Sequence, residues 1–338
     1  MYCVRGSLFV GTHLTNLCKN NFFYLNISIF VRNFTLMLHI EHIKRVAREV
    51  GFDLCGVVQC RDLGEDKLFL EEWIEKGLAS SLDYLKRNID RRANVTTLVD
   101  GAKSVIVCGV AYKNHTSEGY PQGHNAKVAS YACTTDYHTT IKQMLFELSA
   151  RLKEIEPTLS GRCFVDSAPI FEKRYAVEAG LGWIGRQSLL VTPQFGTFVL
   201  LGEIVVTAEC DHYDKPLVSV GCGECRRCVE TCPNGAVKER HIDTSRCISC
   251  ATIEHKGKGE QCDLHGWIFG CDECQIVCPY NRKAPRATNP LVAPIFNPVE
   301  MSPEEWISLS KEEFSAKFGT TPLERAGLER LKDNLSNR

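Results

Sequence analysis

Apolar residues recur at helix and strand spacings from about residue 37 to the end of the chain. An apolar face that runs from Ile40 to Val50 predicts a helix that ends at Gly51. A longer amphipathic run predicts a second helix over Ile141–Ile155. Short, largely apolar runs predict strands over Phe52–Val58, Ser104–Tyr112, Arg162–Val165 and Phe198–Val206. Because helices and strands interleave, we predict a layered α+β fold, with α/β character, over residues 37–215.

The rest of the chain divides by composition into three further segments. Residues 1–36 contain no acidic residue and fit neither a signal peptide nor a membrane span, so we interpret them as a poorly ordered extension. Residues 216–285 hold a dense set of cysteines and form a second predicted domain. Residues 286–338 contain several prolines and one predicted helix around Glu304–Phe318, which indicates a C-terminal helical tail.

Eighteen cysteines distinguish the chain from an ordinary globular protein, which its 44% hydrophobic and 24% charged residues otherwise resemble. The segment from Cys222 to Pro233 has the pattern Cys-x-x-Cys-x-x-Cys-x-x-x-Cys-Pro, and Cys271, Cys274 and Cys278 repeat its end. This spacing is typical of bacterial ferredoxins, in which the thiolates bind [4Fe–4S] clusters. Paired Cys-x-x-Cys motifs also bind zinc, but three cysteines followed by a fourth before proline favour iron and sulfur.

Two such clusters need eight thiolates, and the chain offers seven at the expected spacing. In this motif the fourth cysteine binds the neighbouring cluster, which assigns two ligand sets. The first set consists of Cys222, Cys225, Cys228 and Cys278. The second set consists of Cys232, Cys271, Cys274 and one member of the group Cys247, Cys250 and Cys262. Thiols kept reduced for metal binding fit a cytosolic protein better than an exported one stabilised by disulfides.

Asp166 is the most distinctive polar residue outside the cysteine-rich segment. It follows the predicted strand Arg162–Val165 and precedes Ser-Ala-Pro, so it lies at a strand end, where ligand sites gather. In a largely apolar pocket its pKa would be raised, and it could donate a proton near neutral pH. It could equally cap a helix. For Asp136-Tyr137-His138 we favour a capped helix start over a catalytic role.

The glycine run from Gly180 to Gly185 does not follow a strand in a βαβ unit, so it is not a dinucleotide fingerprint. We interpret it as a close approach of the backbone to a large flat ligand. Packing of the loop against the protein itself is the alternative.

The net charge and one local basic run bear on whether the protein binds nucleic acid. A net charge of −1 excludes a global polycation that would attract nucleic acid. A local basic run, formed by Arg282, Lys283 and Arg286, follows the last predicted cluster ligand. Such a run is either a solvated loop or a docking point for a substrate.

Several motifs together resemble the epoxyqueuosine reductase family over about residues 37–330. They are Val165-Asp166-Ser167-Ala168-Pro169, the run Ala179 to Gly185, Leu201-Gly202-Glu203-Ile204, Arg246-Cys247-Ile248-Ser249 and the block Gly270 to Pro279. The resemblance implies a cobalamin-dependent iron–sulfur enzyme that reduces epoxyqueuosine to queuosine at the wobble position of tRNA, the last step of queuosine biosynthesis. It also implies a nitroreductase-like cobalamin-binding domain, similar to that of reductive dehalogenases, and a ferredoxin-like domain with two [4Fe–4S] clusters.

The resemblance further implies roles for individual residues. Asp166 matches the family's proton donor, which faces the cofactor and protonates the oxygen that leaves the epoxide. Cys247 matches the eighth cluster ligand. Arg91, Cys133 and Ser249 fall where the family contacts the corrin ring.

From this resemblance we expect electrons to pass from a low-potential donor to the cluster held by Cys232, then to the cluster held by Cys222, and then to cobalamin. The expected partner is the anticodon loop of tRNA, and the expected protein is a cytoplasmic monomer without membrane association. Two alternatives compete with this hypothesis. One is a reductive dehalogenase-like enzyme that acts on a small molecule, and the other is a pure ferredoxin-type electron-transfer protein.

Overall fold

A four-stranded sheet forms the centre of the structure, which is a computed structural model that describes residues 37–254 and 262–337. The predicted extension over residues 1–36 lies outside the described residues. The strands, in chain order, are β1 (Met37–Leu38), β2 (Leu54–Gln59), β3 (Ser104–Ala111), β4 (Lys127–Val128), β5 (Gly161–Phe164), β6 (Trp183–Ile184), β7 (Leu190–Val191), β8 (Val199–Val206), β9 (Glu209–Cys210), β10 (Val237–Lys238), β11 (His241–Ile242) and β12 (Trp267–Phe269).

Helices cover both faces of this sheet and build the C-terminal part of the chain. The α-helices, in chain order, are α1 (Ile40–Val50), α2 (Gly64–Glu75), α3 (Ile89–Ala93), α4 (Tyr137–Ile155), α5 (Glu172–Glu178), α6 (Arg227–Thr231), α7 (Ile248–Ile253), α8 (Glu273–Ile276), α9 (Pro279–Lys283), α10 (Pro303–Ser308), α11 (Lys311–Phe318), α12 (Leu323–Ala326) and α13 (Leu328–Ser336). Short 3-10 helices occur at Asp83–Lys86, Val95–Thr97, His115–Glu118, Ser130–Cys133, Pro290–Val292 and Pro298–Glu300.

The central sheet has the strand order β2-β3-β8-β5, and each neighbouring pair is antiparallel. Side chains alternate between its two faces, as the strand repeat of two residues requires. On one face, Ile106 and Ile204 pack against Ile43 of α1 and Leu145 of α4. The four predicted strands and the two predicted helices are confirmed, and so is the layered α+β fold class.

The opposite face of the sheet carries the short helix α5. Val105, Val107 and Val205 pack there against Tyr175 and Ala176 of that helix. The arrangement brings the end of β5 and the start of α5 to the same edge of the sheet, where Asp166 lies between them.

The predicted C-terminal tail packs into the rest of the chain. Trp306, Phe318 and Leu331 form a core with Cys133 and Phe269, which lie in segments that the sequence assigned to two different domains. The predicted domain boundaries at residues 215 and 285 therefore rest on composition alone, because the segments on either side of them share one core.

The single helix predicted around Glu304–Phe318 is wrong, because the structure has two helices there. Ser310 caps α11 by accepting a hydrogen bond from the N–H of Glu313, whose carboxylate accepts one from the N–H of Ser310. This capping box starts a new helix immediately after α10 has ended. Within the described ranges, none of the helices combines the length and the apolar character needed to span a membrane.

Candidate active site and cluster sites

Four cysteines line one narrow pocket at the surface of the cysteine-rich segment. They are Cys222, Cys225, Cys228 and Cys278, the first set that the motif spacing assigned. Cys228 lies in α6, and Cys278 precedes α9, whose first residue is Pro279. The fold thus brings Cys278, which is distant in sequence, next to the three cysteines of the segment 222–228. This agrees with the crossing of the fourth ligand between clusters.

A second group of cysteines lies close enough for their charges to interact. Burial and then the charges of neighbouring groups, Cys247 and Cys232 among them, raise the pKa of Cys274. Burial and then the charge of Cys274 raise the pKa of Cys271. The backbone N–H of Ala236 donates to Cys232 Sγ at 3.2 Å. Such hydrogen bonds to sulfur are one of the ways in which proteins set the potential of a cluster.

The eighth cluster ligand has three candidates, whose surroundings differ. They are Cys247, Cys250 and Cys262. After burial, the charge of Cys232 raises the pKa of Cys247, whereas the charge of Cys247, and not that of Cys232, raises the pKa values of Cys250 and Cys262. This placement supports Cys247, the residue that the resemblance implied. Among residues 37–254 and 262–337, no three His, Cys, Asp or Glu side chains converge on a position for a single metal ion.

Asp166 lies in the loop between β5 and α5 with a left-handed backbone conformation, at a φ of 51°. A residue other than glycine adopts this region at a cost, so the surroundings must hold it there. The carboxylate of Glu172 accepts a hydrogen bond from the Asp166 N–H at 2.5 Å. The Tyr137 hydroxyl donates to Asp166 Oδ2 at 2.7 Å, and His138 Nε2 lies 3.1 Å from the same oxygen.

The expectation of a raised pKa at Asp166 is wrong. The hydrogen bond from His138, and then that from Tyr137, lower the pKa of Asp166 below its ordinary value, although partial burial opposes them. The side chain is 54% exposed in the protein alone, so burial is too weak to reverse the effect. Asp166 is therefore ionised at neutral pH in the protein described here.

Asp136-Tyr137-His138 is a capped helix start, as predicted, and two of its side chains also contact Asp166. The Asp136 carboxylate caps α4 by accepting a hydrogen bond from the His138 N–H at 3.0 Å. The side chains of Tyr137 and His138 then point at Asp166 from the first turn of the helix. The catalytic alternative for this motif stays a prediction. Helix periodicity gives no information on which loop faces a helix start.

Two further carboxyl groups, those of Glu172 and Glu203, lie behind Asp166, and neither was predicted to have a role at the site. Glu203 is fully buried on β8, opposite Val107 of β3 and Phe164 of β5. Both oxygens of its carboxyl group are buried without a hydrogen-bond partner among the described residues. Burial and then the charge of Glu172 raise the pKa of Glu203 well above its ordinary value. Burial and then the charge of Asp166 raise the pKa of Glu172 to about 7. Both carboxyl groups therefore favour the protonated form more than an exposed glutamate does.

A cleft of about 860 Å³ connects Asp166 with the first cysteine pocket. Its walls include Tyr84, Arg92 and Trp183, and one end reaches Cys222. Apolar and aromatic side chains form much of the lining, which is typical of sites for large organic ligands. Arg92 Nε and Trp183 Nε1 are buried and have no hydrogen-bond partner in the described part of the protein. Two donors in the wall of a large cleft fit a ligand that carries amide or other acceptor groups.

The residues predicted to contact a corrin ring lie at different positions. Arg91 is exposed on α3 and is not among the described residues that line the cleft, whereas its neighbour Arg92 is. Cys133 is fully buried, with Sγ 3.7 Å from the carbonyl oxygen of Ala129. Ser249 lies half-buried in the first turn of α7. Their proposed contacts stay predictions, and Asp166 is the member of the predicted set that lines the cleft.

The glycine run packs against the protein's own backbone. A side chain at Gly182 would collide with the carbonyl of Val191, and one at Gly180 would lie 2.7 Å from the carbonyl oxygen of Lys215. Loop packing, the alternative interpretation, therefore accounts for these glycines. The run still shapes the cleft, because Trp183 stands between Gly182 and Gly185 and forms part of the wall.

The basic run after the last cysteine is less uniform than its sequence indicates. Arg282 and Lys283 are exposed at the end of α9. The guanidinium of Arg286 makes a bidentate contact with the carboxylate of Glu118. Its Nε donates to Oε1 at 3.0 Å, and its Nη2 donates to Oε2 at 2.8 Å. Glu118 is far away in sequence, and its carboxylate offsets the charge of Arg286.

Comparisons with known proteins agree with this geometry. The family described as "Epoxyqueuosine reductase QueG, DUF1730" matches residues 92–167, and the "4Fe-4S double cluster binding domain" matches residues 221–281. The epoxyqueuosine reductase of Cyclobacterium marinum is 36% identical over 310 residues, which cover 89% of this chain and 97% of that protein.

Solved structures show the same fold. The epoxyqueuosine reductase from Streptococcus thermophilus aligns with a TM-score of 0.77 at 24% identity, over 87% of this chain and 79% of the other. The same values apply to a crystal structure of epoxyqueuosine reductase with an epoxyqueuosine-modified tRNA-Tyr stem loop. Identity over nearly the whole length of a curated relative shows that this chain belongs to the epoxyqueuosine reductase family.

Proposed function

We propose that this chain is an oxidoreductase that reduces epoxyqueuosine to queuosine at the wobble position of tRNA, the last step of queuosine biosynthesis. Its membership of the epoxyqueuosine reductase family supports the proposal. One structural observation carries it, namely the continuous cleft that leads from Cys222 to Asp166. A pure electron-transfer protein has no need for a large cleft between its redox centre and a hydrogen-bonded acid.

The cysteine-rich segment would hold two [4Fe–4S] clusters, which supply electrons one at a time when bound. The match to a double-cluster domain supports this, and the pocket lined by Cys222, Cys225, Cys228 and Cys278 supports the first ligand set. We assign the second set to Cys232, Cys247, Cys271 and Cys274, on the electrostatic coupling among them.

The cleft would hold cobalamin, which supplies a low-valent metal centre for reduction of the epoxide when bound. The walls fit such a group, because Arg92 and Trp183 offer unpartnered N–H donors beside aromatic surfaces. The chain's own contribution is to orient the ligand, to exclude water from the cleft and to supply protons. Arg91, Cys133 and Ser249 stay predicted contacts.

The residues around Asp166 account for the proton chemistry. Removal of an epoxide oxygen as water, with formation of a carbon–carbon double bond, consumes two electrons and two protons. Asp166 is placed to deliver a proton to the leaving oxygen, since it lines the cleft. Glu172 holds the Asp166 backbone, and Tyr137 holds its carboxylate, so the side chain is oriented before the substrate arrives.

The partners follow from the same proposal. A relative of this fold has been solved with a tRNA stem loop, and we extend tRNA binding to this chain. Recognition would rest on the unpaired bases of the anticodon loop, with Arg282 and Lys283 near the phosphates. A low-potential electron donor, a monomeric state and a cytoplasmic location complete the proposal and stay predictions.

The test uses anaerobically purified holoenzyme, with iron, sulfide and corrinoid content measured before assay. Purified tRNA that carries epoxyqueuosine is incubated with a low-potential chemical reductant, and its nucleosides are separated and identified by mass. We expect queuosine to appear with the wild-type enzyme. The change Asp166→Asn should lower kcat on the order of 10²–10⁴-fold with unchanged cofactor content.

A matched change at the exposed residue Asp100, Asp100→Asn, controls for the loss of a carboxylate elsewhere. Unchanged epoxyqueuosine after incubation with the fully loaded wild-type enzyme would refute the proposed reduction. Normal turnover by Asp166→Asn would leave the reduction standing and refute the role of Asp166.

A further inference from the structure

His138 lies between two carboxylates and touches both. Its Nδ1 is 2.8 Å from Asp136 Oδ1, and its Nε2 is 3.1 Å from Asp166 Oδ2. A neutral imidazole carries one N–H and can donate to only one of them, whereas an imidazolium donates to both. The side chain is 18% exposed, so water cannot fully replace either partner. The two carboxylate contacts therefore favour the protonated ring, whereas the guanidinium of Arg325, beside both ring nitrogens, opposes it.

Charged groups from every neighbouring element act on this ring. Arg325 of α12 opposes its protonation, with Nη2 2.8 Å from Nδ1 of the ring and 3.4 Å from Asp136 Oδ2. Burial lowers the pKa of His138, but the hydrogen bonds to Asp136 and Asp166 outweigh it and raise the pKa to about 9. Tyr137 donates to Asp166, and its ring lies against the His138 ring, with the two centroids 4.1 Å apart. Glu172 contacts the Asp166 backbone.

The acid that faces the cleft, Asp166, is therefore a different group from the one that holds the proton, His138. Asp166 lines the cleft but is ionised at neutral pH, because His138 and Tyr137 hold its pKa low. It cannot protonate a leaving oxygen until it has itself received a proton. Two groups that can carry a proton contact Asp166, the Tyr137 hydroxyl and the His138 ring. Burial and then the charge of Asp166 raise the pKa of Tyr137, so the ring is the group that releases its proton more easily.

We propose that His138 is the proton reservoir behind Asp166 and reloads it for each of the two protons that the reaction consumes. This inference rests on the proposed reduction of an epoxide. In each transfer the Nε2–H bond of His138 breaks as an O–H bond forms on Asp166 Oδ2. The O–H bond of Asp166 breaks as the leaving oxygen is protonated. The ring regains its proton from water, and no electrons move in the relay.

Asp136 and Arg325 have opposite effects in this relay. Asp136 holds the ring orientation through Nδ1 and stabilises the imidazolium, as a buried carboxylate commonly does for a catalytic histidine. Arg325 limits that stabilisation, because its guanidinium lies against the ring and against Asp136. The balance keeps the proton on His138 without making it too stable to transfer.

The first measurement is the pH dependence of kcat for the holoenzyme and the variants His138→Gln and Asp136→Asn. We expect the wild-type kcat to fall as the pH rises through about 9, where the ring loses its proton. His138→Gln should lower kcat on the order of 10²-fold with an unchanged KM for tRNA, and should lose this pH dependence. Asp136→Asn should move the midpoint down by about one pH unit or more.

The second measurement does not depend on turnover. Diethyl pyrocarbonate acylates neutral imidazole, and the modified peptide that contains His138 is quantified by mass spectrometry across pH. We expect half-maximal modification near pH 9, about two units above that of added N-acetylhistidine. The variant His212→Gln, at an exposed position, controls for loss of a histidine that lies outside this cluster.

The outcomes separate this inference from the proposed function. If the loaded wild-type enzyme leaves epoxyqueuosine unchanged, the proposed function fails, and the modification profile still reports whether His138 holds the proton. A wild-type kcat and pH profile in His138→Gln overturns the relay, and so does modification of His138 at the pH of free imidazole. If His138→Gln does not fold, Asp136→Asn decides, and an unchanged midpoint overturns the relay.

Discussion

The cluster sites and the Asp166 site are built in different ways from the same chain. Three ligands of the first cluster pocket lie within one short segment, and only Cys278 joins them from a distance. The groups around Asp166 come from α4, α5, β8 and α12, which are far apart in sequence. A motif with fixed spacing therefore reports the first site, and only the fold assembles the second.

The difference has a physical origin. A cluster needs thiolates on a tight loop, so the spacing of its ligands is constrained by the size of the cube. A proton relay needs only that donor and acceptor atoms meet within hydrogen-bond distance, and any two elements can supply them. The comparison predicts that substitutions in the cluster motif act on metal content, whereas those around Asp166 act on chemistry or pH dependence.

The largest expected effect tests which cysteine completes the second cluster. Cys247→Ser should lose about half of the iron and sulfide per chain and nearly all activity, because a cluster with three thiolates is unstable. Cys250→Ser is the matched control, since it lies on the same turn of chain and should keep both clusters. Iron analysis and electron paramagnetic resonance check the outcome, and equal iron loss in both variants contradicts the assignment.

The next effect concerns the wall of the cleft. Trp183→Phe removes the unpartnered Nε1–H but keeps an aromatic ring, so cobalamin affinity should fall about two- to tenfold. Trp306→Phe is the control, because its Nε1 is also buried without a partner but lies in the C-terminal core. Corrinoid titration by absorbance gives the two affinities. Equal losses would mean that the cleft donor does not contact the cofactor.

A smaller effect is expected at the basic run. Replacing Arg282 and Lys283 by Glu should weaken tRNA binding on the order of tenfold at low salt, with cluster content unchanged. Arg286→Glu should have less effect, because Glu118 already binds that guanidinium. Binding is measured by fluorescence anisotropy across salt concentrations, with Lys311→Glu on α11 as a control. Unaltered tRNA affinity in the double variant removes this surface from the interface.

The smallest effect concerns stability and pH at the buried carboxyl pair. The pKa of Glu172 is raised from 4.5 to about 7, so its contribution to stability is full below pH 4.5 and is lost as the pH rises through about 7. In Glu203→Gln a neutral amide replaces the neighbouring carboxyl group, so one of the two buried groups no longer titrates. The melting temperature should therefore fall less between pH 6 and 8 than in the wild type.

The fall in melting temperature between pH 6 and pH 8 should differ between wild type and Glu203→Gln by on the order of a few °C. It is measured by anaerobic thermal unfolding. Glu75→Gln, at an exposed position on α2, serves as the control. Identical slopes in wild type and Glu203→Gln would mean that Glu203 does not contribute to the pH dependence of stability.

The sequence alone determined the elements of the central sheet, the cysteine motif and the family resemblance. Each depends on residues that are close in sequence or on periodicity, which local geometry constrains. It also pointed to Asp166, because a polar residue at the end of an apolar strand is exposed to a ligand site.

Only the tertiary structure decided the charge of Asp166 and the identity of its partners. The pKa of a carboxyl group depends on what surrounds it, and here His138 and Tyr137 lower it although the sequence favoured a raised value. Glu172, Glu203 and Arg325 reach the same site from elements that no spacing relates. The sequence determined which residues could do chemistry, and the packing of α4, α5 and α12 decided which of them hold the proton.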